Sequence, residues 1–357
     1  MSVRAAPRLR YRHASGLHAV ARELHALHRE LLVSSGEAEG HVRTSVTNLV
    51  AACTDPEQAE RAEAALLSIG AEHPARALVI LAQPEAPPQL EADVSLHAAG
   101  DGSHATTELV RLDVSGEPAY HLTGIVTPLL IPDMPTYLWV LGSPPLRQAF
   151  SEDAVSLTDR IIIDSGAYAD AAATLRLISE HMRRFGDALG LADLAWERTL
   201  PWRQQLAQAF DAAAARPWLR RITTLTIRCA GTRVPADPWL LAGWMGSALG
   251  WKSTAGPRID VTATGAPDSA DVAEGSLLEV HVEADGDGGH AAVGLLRRGS
   301  SLQASVDIDG TLRSARSVTT AQTDEAGLIS RLMSDPGDEQ IYHGAITAAV
   351  AMVREAP

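Results

Sequence analysis

The hydrophobic pattern changes period several times along the chain, and each change marks an element. From Ser15 to Leu32 the residues Leu17, Val20, Leu24, Leu27 and Leu31 recur at three- to four-residue spacing with charges between them, which predicts an amphipathic helix. Ser45–Cys53 is a β-rich, almost unbroken apolar run. Asp55 then supplies an N-cap, Pro56 takes the first helical position, and Gly70 marks the expected end of that helix. A second apolar run without alternation, Ala75–Ala82, completes a strand, helix, strand sequence, the signature of a βαβ unit with parallel strands buried on both faces. Glu108–Ser115 alternates instead, with Val110, Leu112 and Val114 on one side and Arg111 and Asp113 on the other, as a half-exposed strand does.

A helical segment from Pro118 to Leu130 runs into Ile131-Pro132-Asp133-Met134-Pro135, where the prolines stop it, and Tyr137–Leu141 reads as another buried strand. Asp170–Phe185 is a helix. Asp193–Asp211 suits two short helices broken before Pro201, and Ile222–Cys229 restarts strand pattern. Beyond about residue 216 the texture changes: Leu277–Glu283 and Leu302–Asp309 alternate strictly, as antiparallel strands with one wet face do, and Glu339–Glu355 closes as a helix. The expected fold is therefore α/β. An N-terminal domain over 1–215 carries a largely parallel or mixed sheet flanked by helices, and a C-terminal α+β domain over 216–357 carries antiparallel hairpins. A length of 357 residues suits two domains, each with its own core.

Charge and composition narrow the function classes. A formal charge of −14 argues against nucleic acid and anionic membrane surfaces as partners. No run of about 18 apolar residues occurs, and no stretch of signal-peptide length follows the basic N-terminus, so a soluble cytoplasmic protein is expected. Cys53 and Cys229 are the only cysteines, too few for a disulfide framework or a multi-cysteine metal site. Gly286, Gly288 and Ala291 fit a loose dinucleotide fingerprint, but the string lies between two alternating runs and is expected to form a hairpin turn. His25 and His28 share a helix face without carboxylates to complete a metal shell, and His281-x-Glu283 lacks the paired cysteines of a zinc deaminase. No nucleophile elbow, P-loop or zincin helix occurs. The sequence thus assigns no catalytic residue, no metal ligand and no cofactor site.

Seven tryptophans stand against three phenylalanines, and Trp196, Trp202, Trp239 and Trp244 lie on expected helices, where they serve either as core or as interface anchors. The blocks Val42–Val50, Glu72–Ile80, His121–Val140, Asp159–Gly166, Asp193–Leu206, Leu240–Trp251 and Asp338–Ile346 resemble, in order, those of the glucose-6-phosphate dehydrogenase assembly protein family, OpcA. The proline run followed by a Trp-bearing strand is the most distinctive of them. Trp139 stands between Leu138 and Val140 where the family often has two aromatics.

The resemblance implies a non-enzymatic cytoplasmic protein that binds glucose-6-phosphate dehydrogenase and promotes its active assembly or conformation in the oxidative pentose phosphate pathway. Arg and Trp anchors are expected on the partner surface, with Arg76, Asp133, Trp139, Arg160, Trp196, Trp202 and Arg203 as candidates. Arg160 and Asp164 suit a structural ion pair or strand-flanking charges equally well. A different reading is a sugar-phosphate-binding enzyme or metabolite sensor that uses arginines and helix N-termini at the carboxyl ends of the first sheet.

Overall fold

The computed structural model describes residues 8–35, 45–98, 106–142, 151–186, 190–251, 256–265, 272–286, 288–320, 323–335, 337 and 339–355. In chain order the elements are β1 (Arg8–Ser15), α1 (Leu17–Ser35), β2 (Thr47–Cys53), α2 (Pro56–Glu72), β3 (Ala75–Gln83), β4 (Gln89–Ala98), β5 (Thr106–Ser115), α3 (Leu122–Val126) and β6 (Thr136–Val140). Next come α4 (Glu152–Leu157), β7 (Arg160–Ile163), α5 (Ala171–Phe185), β8 (Leu191–Asp193), α6 (Leu194–Arg198), α7 (Leu200–Asp211), β9 (Ile222–Cys229) and α8 (Ala236–Leu249). The chain continues with β10 (Arg258–Ala263), β11 (Leu277–Gly286), β12 (Gly289–Arg298), β13 (Ser301–Ile308), β14 (Thr311–Thr319), α9 (Glu325–Ser334) and α10 (Glu339–Glu355). No helix among the described residues is long and apolar enough to cross a membrane.

The fold is α/β, with an eight-stranded mixed sheet in the order β1-β4-β5-β3-β2-β6-β7-β8 and a six-stranded sheet in the order β10-β9-β11-β12-β13-β14. From β5 to β7 the first sheet is parallel, and β4 and β1 extend it antiparallel. The compact units are built from separated stretches. One comprises 1–163, 187–192 and 325–335, the other 164–186, 193–324 and 336–357, so residues 164–186 and 193–215 cluster with the six-stranded sheet.

In the first unit β2 and β3 are buried almost throughout, as their unbroken apolar runs require. Leu78 and Ile80 join Val20, Leu24 and Leu27 of α1 in one cluster, while the alternate positions of β3 point to the other face of the sheet. The predicted helix position Leu31 falls outside the described side chains. Helix α2 packs along β2, β3 and β5 and runs two residues past Gly70. That glycine is no helix stop: a Cβ on it would stand 2.2 Å from Thr107 Oγ1. It lets the helix backbone approach β5, where Thr107 Oγ1 donates to Gly70 O at 3.1 Å.

The second unit follows the expected alternation. Val280, Val282, Val293, Leu295, Leu302, Ala304 and Val306 face a core completed by Trp202 and Leu206 of α7 and Leu241 and Met245 of α8. The Gly286/Gly288 string is the expected hairpin, with Gly286 opposite Gly289 between β11 and β12. Helices α6 and α7 break where predicted, with Pro201 in the first turn of α7. Gly243 of α8 meets α10 so closely that a Cβ would stand 2.1 Å from Ala345 O.

Candidate functional site

The first sheet grows from β2 outward through β3 to β5, and the chain then returns to grow from β2 in the other direction through β6 and β7. The crevice beside β2 and β6 at their carboxyl ends is therefore the topological switch point, where open α/β sheets take ligands and where the N-terminus of the following helix takes phosphate. Here that corner carries Thr54-Asp55-Pro56-Glu57. Asp55 Oδ1 accepts from Gln58 N at 2.9 Å, Pro56 offers no N–H, and Glu57 adds a second carboxylate to the first turn. The Gln58 side chain folds back, its Oε1 accepting from Thr54 N at 3.0 Å, and its amide nitrogen lies where a Cβ on Gly142 would be 2.6 Å away. An arriving phosphate meets two carboxylates and a glutamine in place of a glycine-rich ring of amides. Asp170 caps α5 and Asp193 caps α6 in the same manner.

The proline turn lies at the opposite, amino edge, ahead of β6 and not at the carboxyl ends where α/β sheets usually present ligand sites. It is braced from beneath. Asn48 of β2 is wholly buried; its Oδ1 accepts from Ile131 N at 2.9 Å, and its Nδ2 donates to Ile131 O at 3.0 Å and Thr136 Oγ1 at 3.2 Å. Thr47 Oγ1 donates to Pro135 O at 2.9 Å, and Thr136 N donates to Asp159 Oδ2 at 2.7 Å. Arg76 is buried, donates to Leu129 O at 2.8 Å and ion-pairs with the fully buried Glu108, whose other oxygen is 2.7 Å from His28 Nε2. The result is an exposed turn, Pro132–Pro135, with Asp133 held at φ 61°, a left-handed conformation that short polar side chains tolerate. Met134 on the turn and Val46, one residue before Thr47, are 37% and 58% exposed. Trp139 is buried in β6, in register with Ala51 and Ile162. Arg160 is half-buried on β7 opposite Tyr137.

The remaining sequence candidates lie in the second unit. Arg203 stacks its guanidinium 3.5 Å from the Trp196 ring centre and donates to Thr199 Oγ1 at 3.0 Å. Burial pushes the Arg203 guanidinium down to about 10, with the Glu197 carboxylate opposing. Trp202 is a core residue. Beside them lies a cluster that the sequence did not single out. Arg198 grips Asp164 with two bonds of 2.9 and 2.6 Å and Asp237 with a third of 2.8 Å. Burial works to lower the Arg198 pKa, but the Asp237 and Asp164 carboxylates hold it well above the usual value. A Cβ on Gly166 would stand 2.4 Å from Asp237 Oδ2, so any larger residue there must push the Asp237–Arg198 pair aside. Asp193 is buried and accepts from Ser165 N, Ser165 Oγ, Ala195 N and Tyr342 OH. Burial raises its pKa to about 6 although the Ser165 and Tyr342 hydrogen bonds work to lower it.

Asp164 thus pairs with Arg198 and not with Arg160, the alternative that the string Asp159–Gly166 had suggested. Two of the missed residues had a local signal. Asp55-x-x-Gln58 has the spacing of a capping box, with the Gln58 side chain accepting from Thr54 N, and Asn48 is a polar residue inside an apolar strand that must find buried partners. Glu108, Asp159 and Asp237 carried none, because the partners that hold them are distant in the chain, and Asp193 showed only a helix cap, its bonds to Ser165 and Tyr342 being long-range.

Residues 67–180 match the family described as the glucose-6-phosphate dehydrogenase subunit N-terminal domain, and residues 189–346 match the one described as its C-terminal domain. A Synechocystis protein described as the OxPP cycle protein OpcA is 26% identical over 189 residues, covering 52% of this chain and 39% of that protein. The Synechococcus elongatus protein of the same description is 27% identical over 192 residues, covering 52% of this chain and 41% of that one. The chain therefore spans about two-fifths of the length of these curated relatives. Among solved structures, an NAD binding oxidoreductase from Klebsiella pneumoniae aligns over 87% of this chain and 98% of its own at 10% identity, with a TM-score of 0.39, too loose to carry an argument. The two family matches together span well over half of the chain, in order, so the chain belongs to the OpcA family.

Proposed function

We propose that this protein is a non-catalytic cytoplasmic partner of glucose-6-phosphate dehydrogenase, acting by protein binding to promote the active assembly or conformation of the enzyme. The observation that carries the reading is a doubly wound sheet whose switch point is lined by its own Asp55, Glu57 and Gln58. A chain of this family with carboxylates at that corner is suited to act on a dehydrogenase rather than as one. The same carboxylates disfavour the sugar-phosphate reading, since they set negative charge where a phosphate would need positive. The family description and the OxPP descriptions of the relatives supply the partner.

Such a protein needs only differential affinity: binding the active form more tightly than the inactive one shifts the population about tenfold per 1.4 kcal/mol. The braced turn is the surface we assign to this contact in the first unit, with Asp133 and Met134 outward, Asn48 and Arg76 supporting it, and Trp139 buried further along β6. Arg160, Trp196 and Arg203 remain in the candidate set, whereas Trp202 is enclosed in the core of the second unit and has no surface to offer a partner. Mixing the chain with its cognate dehydrogenase should give co-elution and a changed dependence of rate on glucose 6-phosphate. Calorimetry of the isolated chain with glucose 6-phosphate or 6-phosphogluconate should give no binding heat. Absence of a complex together with unchanged kinetics would sink the proposal, and sugar-phosphate binding by the chain alone would favour the sensor reading.

A further inference from the structure

We propose that the Arg203 guanidinium, held flat on Trp196, is an anchor whose open fork receives an aspartate or glutamate side chain of the partner enzyme. The inference rests on the binding proposed above and names the chemistry of one contact. Arg203 lies in the first turn of α7 and Trp196 in α6. The guanidinium carbon stands 3.5 Å from the Trp196 ring centre, and that ring packs in turn against Tyr342 of α10, with ring centres 5.5 Å apart. Nε donates to Thr199 Oγ1 at 3.0 Å and Nη2 to Trp196 O at 3.3 Å. The stack and the two bonds fix the plane and its rotamer, so little conformational freedom is left to lose on binding. Among the described residues Nη1 has no partner, which leaves a hydrogen on each nitrogen of the fork between Nη1 and Nη2.

A guanidinium withdrawn from water calls for a carboxylate. Arg76 has Glu108, and Arg198 has Asp164 and Asp237. Arg203 is half-buried and forms no ion pair among the described residues; Glu197 acts on it only from a distance, and burial pushes the guanidinium down to about 10 against that pull. Burial also pushes Arg297 down, but its guanidinium lies 5.8 Å from the Trp202 ring centre, without the close stack that fixes Arg203. In a chain with 44 acidic against 30 basic residues, a desolvated arginine that none of the described carboxylates pairs with is a site kept for one from outside. A planar fork with a free hydrogen on each nitrogen matches a carboxylate bidentately, and an arginine set on tryptophan and backed by tyrosine has the composition of an interface hot spot.

Calorimetry of the full chain with its cognate dehydrogenase compares the parent with Arg203→Lys, which keeps the charge without the fork, and Arg203→Gln, which lacks both. Each should bind at least about tenfold more weakly, with Arg203→Gln the weaker of the two. Arg203 also latches α6 to α7, so urea titration of the same preparations checks that both variants are folded. The enzyme side is then varied against the intact chain. Among single Ala replacements of the surface Asp and Glu residues of the dehydrogenase, one should weaken the parent complex about as much as Arg203→Gln does, and weaken the Arg203→Gln complex less than about twofold. Unchanged affinity in both Arg203 variants, or losses that add at every such position, overturns the proposal and leaves the proposed function standing. Failure of the parent chain to bind the dehydrogenase overturns both. Binding of inorganic phosphate to the isolated chain that Arg203→Gln abolishes also overturns the proposal, because the occupant of the fork is then a free anion.

Discussion

A single buried amide, Asn48, closes both hydrogen-bonding groups of Ile131 and so ties the proline turn to the sheet. Asn48→Ala should cost about 2–3 kcal/mol, because two buried backbone groups lose their partner, and urea unfolding measures it. Asn48→Asp should fare no better, since a carboxylate cannot donate to Ile131 O. Asp193 carries the clearest pH dependence. Its folded pKa of about 6 exceeds the ordinary 3.8, so the folded state holds the proton more tightly than the unfolded chain. The stabilisation this provides is fully present below pH 3.8 and is lost as pH rises through about 6, a change of about 3 kcal/mol by linkage. Asp193→Asn should flatten unfolding free energy between pH 4 and 6, and an unchanged slope would contradict the assignment. The two thiols do not suggest a redox signal: burial pushes Cys53 up to about 12 and Cys229 up to about 11, which keeps both protonated at neutral pH.

At the scale of elements, periodicity and caps were readable because they depend on near neighbours. The amphipathic helix α1, the cap at Asp55, the βαβ order, the break before Pro201 and the alternation of β11 and β13 follow from spacing alone. Gly70 shows the limit. Its place near a helix end suggested a stop, yet its role is to admit Thr107 from a strand 37 residues away. Gly70→Ala should therefore destabilise by about 1–3 kcal/mol despite the better helix propensity of alanine. Combining it with Thr107→Ala should cost less than the two separate effects added, with a coupling of about 1 kcal/mol or more in a double-mutant cycle. Additive costs would show that the two positions do not meet.

For the whole molecule, the prediction that matters is the one made on a mixture of this chain with glucose-6-phosphate dehydrogenase: complex formation and altered substrate dependence, with no catalysis by this chain alone. Binding energy enough to favour the active enzyme form by about 2.8 kcal/mol would shift its population about a hundredfold. The amino-acid sequence by itself determined the α/β class, the family and the elements with strong local patterns, among them α1, the β2-α2-β3 unit, α5, β9, β11, β13 and α10, since local periodicity, caps and ordered motif blocks survive without knowledge of distant contacts. Tertiary structure alone decided which strands neighbour β2, and hence that Asp55, Glu57 and Gln58 occupy the switch point, that the proline turn sits at the other edge, and that Asp193 and Arg198 lie in buried polar clusters. Those facts depend on partners tens to more than a hundred residues apart, and their pairing is set by strand order and close packing, which no local pattern encodes.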